Sequence, residues 1–254
     1  MKIVLLGSGH VATQMGKTMV AQGDHQIIQV YSRTLAHAEA LANVLHCPFT
    51  TDLENLVADA DLYLLLVTDS SIPDVVSKLP ATLSGIVAHS SGATSIQVLS
   101  KFKSYAVIYP VQSFSKEVSI NLKEVPFGIE ANTEEVSVKL FSIWSSISNQ
   151  LFNCSTEQRL ALHTAAVFAN NFSNALFQIA YDLLEEHQLS FDLLKPIILK
   201  TAEKVQNNIP KEVQTGPAIR KDEISMEKHL QFLSGHPDWQ LIYQKISDLI
   251  TKRG

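Results

Sequence analysis

The chain has 254 residues, 46% of them hydrophobic, and a formal net charge of −5, which is enough apolar material for one large or two modest domains and leaves no basic footprint for nucleic acid. Its two cysteines, Cys47 and Cys154, lie far apart and outside any metal-ligand spacing, so neither a disulfide framework nor a metal site is expected. No apolar run reaches about 18 residues, and the stretch before Gly7 is too short for a signal-peptide core, so a reducing cytoplasmic setting without a membrane partner is expected.

The first predicted strand, residues 2–6, runs into Gly7-Ser8-Gly9-His10-Val11-Ala12, which opens an amphipathic stretch at 13–22. Strand, glycine turn and helix in that order form a dinucleotide-binding βα unit. Gly7 permits the tight turn, Gly9 lets a pyrophosphate approach the backbone, and Ala12 is the small third residue. The second predicted strand, 27–31, ends in Ser32-Arg33-Thr34. An acidic side chain there would hold a ribose 2′-hydroxyl and repel a 2′-phosphate; two hydroxyls and a guanidinium favour the phosphate, and with it NADP over NAD. Further strands at 62–67 and 86–89 end in Val67-Thr68-Asp69-Ser70-Ser71-Ile72 and in Ser90-Ser91-Gly92, small polar turns at the carboxyl edge where cofactors lie. From these turns Val67, Thr68, Asp69, Ile72, Ser90, Ser91 and Gly92 are expected to touch cofactor, with Asp69 equally able to cap the segment that follows. Strands at 105–109 and 127–130 complete a doubly wound, mostly parallel sheet over residues 1–153, whose nearly continuous apolar runs suit helices on both faces.

After Cys154 the strand signal stops. Ser155 with Gln158 makes a capping box for one long helix to about residue 186, and helices are predicted at 191–207, 222–233 and 238–251, with Pro210, Gly216-Pro217 and Gly235 between them. Residues 154–254 thus form an all-α domain for substrate and dimerisation. Its long apolar helices exceed what one small domain can cover, which predicts a homodimer through this domain.

Three segments carry a resemblance: 109–114 (Tyr-Pro-Val-Gln-Ser-Phe), 163–172 (His-Thr-Ala-Ala-Val-Phe-Ala-Asn-Asn-Phe) and 215–222 (Thr-Gly-Pro-Ala-Ile-Arg-Lys-Asp). With the glycine turn they resemble a bacterial family of Rossmann-like NADP oxidoreductases with a helical domain of no assigned function. That family lies within the 6-phosphogluconate dehydrogenase and pyrroline-5-carboxylate reductase superfamily. The resemblance implies the two-domain fold, NADP and a dimer, but no substrate. Relatives often carry histidine where this chain has Tyr109, and the superfamily's substrate-facing lysine has no clear counterpart, Arg159 being the nearest cation.

Hydride transfer needs a proton donor beside the reacting carbon. At about 100° per residue, Asn170 and Asn174 each lie about 20° from His163 on a regular helix, and Asn171 about 80° away. His163 is the expected general acid, with Asn170 or Asn171 orienting a small carbonyl or imine. A purely structural role for all three is the alternative. Tyr109, Gln112 and Ser113 at a strand end, and Arg220 as an anion clamp, are the expected substrate contacts. A non-catalytic NADP-binding sensor is the competing function.

Overall fold

The computed structural model describes residues 1–23, 25–114 and 120–253. The chain forms two compact units, Met1–Ala169 and Asn170–Gly254. In the first, β1 (Lys2–Leu6), α1 (His10–Ala21), β2 (Gln26–Tyr31), α2 (Leu35–Leu45), β3 (Phe49–Thr50), β4 (Leu62–Leu65), α3 (Ile72–Lys78), β5 (Ile86–His89), β6 (Tyr105–Pro110), β7 (Phe127–Ala131), α4 (Glu134–Trp144), β8 (Leu151–Asn153) and α5 (Thr156–Ala166) follow one another. The sheet order is β3-β2-β1-β4-β5-β6-β7-β8, parallel throughout except where β6 meets β7. This is the doubly wound sheet expected. Alternate residues leave each strand on opposite faces. Ile3, Leu5, Leu62 and Leu64 meet Met15 and Met19 of α1 and Leu41 of α2, whereas Val4, Leu6, Tyr63 and Leu65 meet Ile72, Val75 and Val76 of α3.

Strands β3 and β8, of two and three residues, are too short to show a periodicity and were not expected. The third predicted run, 62–67, forms a strand only as far as Leu65, and the Leu66 carbonyl beyond it leaves no room for a side chain at Gly7.

The single long helix expected from 155 to 186 is interrupted. After α5 comes a π-helical turn, Val167–Phe172, and then α6 (Ser173–Glu186). The two compact units meet inside this helical stretch, and α5 packs on the sheet through Arg159 and Leu162. The second unit continues with α7 (Lys195–Asn207), α8 (Glu223–Phe232) and α9 (Pro237–Arg253). The stretch expected to be helical from 191 opens with a 3₁₀ turn, and the α-helix starts at Lys195, where Pro196 sits in the first turn and needs no amide partner. Within this unit Asp222 caps α8, accepting from the Ser225 N–H at 3.1 Å. Helices α6, α7 and α8 contain no buried residue; Ala218, Leu233 and Ser247 are the buried residues among those described here. No described helix is long and apolar enough to cross a membrane, and Cys47 and Cys154 are free thiols.

Candidate functional site

The Gly7 turn is built by steric necessity. Gly7 has φ +133°, and a Cβ there would stand 2.3 Å from the Leu66 carbonyl oxygen. Gly9 differs: its backbone is ordinary, φ −78°, and a Cβ would meet nothing within 4 Å. No packing among the described residues requires glycine at position 9. Its missing side chain keeps open the space before the α1 amino terminus, where no side chain caps the first amides and no acidic residue stands in the first turn. That is a cradle for an anion held by backbone N–H groups. Ala12 is fully buried against the core, while His10 is exposed and Val11 half-buried at the rim.

One strand over, the buried Ser32 hydroxyl bonds that of Ser8 at 2.8 Å, tying the glycine turn to the end of β2. Arg33 and Thr34 beside it are exposed. Thr34 precedes α2 without its hydroxyl capping the helix, and the first turn of α2 holds no acid. An exposed guanidinium, a hydroxyl and open helix amides thus follow β2, the strand that pairs with β1 and its glycine turn. These residues fit the adenosine 2′-phosphate of NADP.

At the carboxyl ends of the next strands, Thr68 and Asp69 are exposed, and the Thr68 hydroxyl bonds that of Ser71 at 2.8 Å. Val67 is half-buried, and Ile72 is buried in the core, so only its backbone can reach a ligand. Ser91 spends its hydroxyl on its own turn, accepting from Ala93 and Thr94 N–H, and Ser90 beside it is half-buried. His89, fully buried, accepts from the Ser91 N–H through Nδ1; burial, helped by the Arg159 charge, holds it down to about 4, so it is neutral. Gln112 is exposed, its side chain accepting from the Ser113 N–H at 2.8 Å.

The structure brings His163 and Tyr109 together. Tyr109 Oη and His163 Nδ1 are 3.1 Å apart, with the rings edge to face at 5.9 Å. Burial pushes the Tyr109 phenol up; the Arg159 guanidinium opposes this and Asp69 adds a smaller upward push. Tyr109 therefore keeps its proton at neutral pH. His163 is half-buried, and its Nε2 makes no hydrogen bond among the described residues, so that edge is free for a ligand. Gly92 lies under the ring: a Cβ there would be 2.5 Å from His163 Cγ and Nδ1. Arg159, the cation nearest to the expected lysine, is spent inside the protein. It is 0% exposed and bonded to Glu130 and to two backbone carbonyls, so it cannot touch substrate.

Asn170 and Asn171 lie in the π-helical turn and are exposed. The alignment expected of them with His163 assumed a regular 100° step. The wider i→i+5 turn has a smaller step, so the stripe does not follow from spacing. Arg220 is exposed in the second unit and has no ion-pair partner among the described residues. Sequence reasoning missed Glu130 and the role of Gly92. A carboxylate inside a strand run and a glycine in a polar turn carry no periodic signal; the one hint was a charged residue in the apolar run 127–130.

Two family models match the chain: "NADP oxidoreductase coenzyme F420-dependent" over residues 2–88, and a domain of unknown function (DUF2520) over 125–250. The crystal structure of a candidate NADP oxidoreductase from Bacteroides fragilis is 38% identical, with a TM-score of 0.89 over 99% of this chain and 98% of that one. The 1-pyrroline-5-carboxylate reductase of Streptococcus pyogenes is 15% identical, with a TM-score of 0.65 over 99% and 98%. An imine reductase of Myxococcus stipitatus, solved with NADP+, is 13% identical, with a TM-score of 0.67 over 99% and 92%. At these identities the last two share the fold. No curated protein matches significantly.

Proposed function

Because the chain belongs to the NADP oxidoreductase family that includes the Bacteroides fragilis protein, we propose that it reduces a small carbonyl or imine, with His163 as proton donor. The observation that carries this reading is the His163–Tyr109 pair at the carboxyl edge of the sheet that also carries the Gly7–Gly9 cradle. NADPH, when bound, supplies the hydride. The chain supplies the proton: protonated His163 donates Nδ1–H to Tyr109 Oη, which leaves Nε2–H for the substrate oxygen or nitrogen. After transfer the ring is neutral and the bond to Tyr109 persists. Tyr109, held protonated by burial, fixes the ring without competing for the charge. Asn170, Asn171 and Arg220 are proposed as substrate contacts, with Gln112 and Ser113 at the strand end.

Residues 154–254 are proposed as the substrate and dimerisation domain and the cytoplasm as its setting. The homodimer reading is supported by helices α6 to α8, which bury no residue, and by Leu193 in the turn before α7, Ile197, Leu199 and Ile224, each more than 60% exposed. Screening cyclic imines and small aldehydes and ketones for loss of NADPH absorbance, with wild type and His163→Ala, tests the activity. The expected result is a turned-over class whose kcat falls at least about 100-fold in His163→Ala. NADPH binding without turnover of any class would favour a sensor instead.

A further inference from the structure

Arg159 and His163 stand one helical turn apart on α5 and therefore on one face. The Arg159 side chain is completely buried, and its donors divide into two sets. Nη1 donates to the carbonyls of Ser91 at 2.8 Å and Gly92 at 3.0 Å; Nη2 and Nε donate to Glu130 Oε2 at 2.9 and 3.3 Å. The other Glu130 oxygen accepts from the Thr156 hydroxyl, on the first residue of α5, at 2.6 Å. Every one of these bonds fastens α5 to the end of β5 or to β7. Gly92 is the residue on which the two ends of the arrangement meet: its carbonyl accepts from Arg159, and its Cα face lies against the His163 ring, with no room for a methyl group between.

We propose that Arg159, charge-balanced by Glu130, is the positioning residue of the proton donor: by clamping α5 to the Ser91 and Gly92 carbonyls it sets the His163 ring in a slot between Gly92 and Tyr109. This rests on the reading of His163 as donor, but the clamp is a separate fact of geometry. A buried guanidinium in a planar fork suits the task because it satisfies a carboxylate and two carbonyls at fixed angles, which an ammonium cannot. Tyr109 on β6 is the titratable group in contact with the ring; Asp69 after β4 and Arg159 act electrostatically on Tyr109, Arg159 also acts on neutral His89 on β5, and Glu130 on β7 pairs with Arg159.

The test reads His163 directly in the full-length protein without substrate, by nitrogen and proton NMR of the imidazole, assigned by comparison with His163→Asn. Arg159→Lys keeps the charge and removes the fork; Glu130→Asp keeps both charges and shortens the clamp by one methylene. In each, if the clamp positions the ring, the Nδ1 hydrogen-bond signature weakens and the His163 titration midpoint moves by at least roughly 0.3 pH unit, about twofold in the proton equilibrium. Lys195→Met, which breaks an exposed ion pair in the second unit, serves as control and leaves both unchanged. An unaltered His163 spectrum in either cooperatively folded variant overturns the proposal. Should the spectra respond as expected while His163→Asn retains turnover, the clamp stands and the donor assignment falls.

Discussion

Two glycines of one turn exist for different reasons, and substitution separates them. At Gly7 an alanine meets both an unfavourable backbone region and the Leu66 carbonyl, so Gly7→Ala should cost about 1–3 kcal/mol or more of stability and be seen as a lowered melting temperature. At Gly9 the backbone is ordinary and the space is open. Gly9→Ala should leave stability within about 0.5 kcal/mol of wild type, yet weaken NADPH binding more than about tenfold, because its methyl group occupies the anion cradle. Equal NADPH affinity by fluorescence titration would show that the pyrophosphate lies elsewhere. The pattern glycine-x-glycine is visible in the sequence, but only coordinates reveal that the fold requires the first glycine and leaves open space at the second.

At the level of elements, the ends of β1 and β2 each lead into a helix whose amino terminus no side chain caps, and the proposed cofactor site uses both. The α1 amino terminus faces the Gly9 space, and that of α2 follows Arg33 and Thr34. A 2′-phosphate should gain from the guanidinium as well as from the helix amides. NADPH is therefore expected to bind at least about tenfold more tightly than NADH, and Arg33→Ala to remove most of that preference, both read by titration of the two cofactors. Indistinguishable wild-type affinities would refute the assignment. Strands β1, β2, β4, β5, β6 and β7 were legible as strand-like runs, and the second half as four helical segments, the first of which the structure divides into α5 and α6. Strands β3 and β8 were not, because two or three residues cannot display a period. Nor was the π turn at Val167–Phe172, since its extra residue per turn leaves the local composition unchanged.

For the molecule as a whole, the second unit poses a burial problem. Helices α6 to α8 bury no residue, and contiguous exposed apolar surface of this kind marks an interaction face, the one the proposed dimer would cover. Sedimentation should give twice the mass of one chain, and paired aspartate substitutions at Leu193 and Ile197, both exposed, should shift it toward the monomer. A wild-type monomer at micromolar concentration would remove the dimer reading while leaving the Rossmann unit untouched.

The sequence by itself determined the doubly wound sheet, the glycine turn and a helical second half, because each is written in short-range spacing that local sterics and burial enforce. It also named His163, though on a helical stripe that the π turn undoes. Only the tertiary structure decided what His163 touches and why Arg159 is not a substrate ligand. Those facts depend on bringing residues 91–92, 109, 130 and 159–163 together from four separate elements, and such long-range contacts leave no periodic trace along the chain.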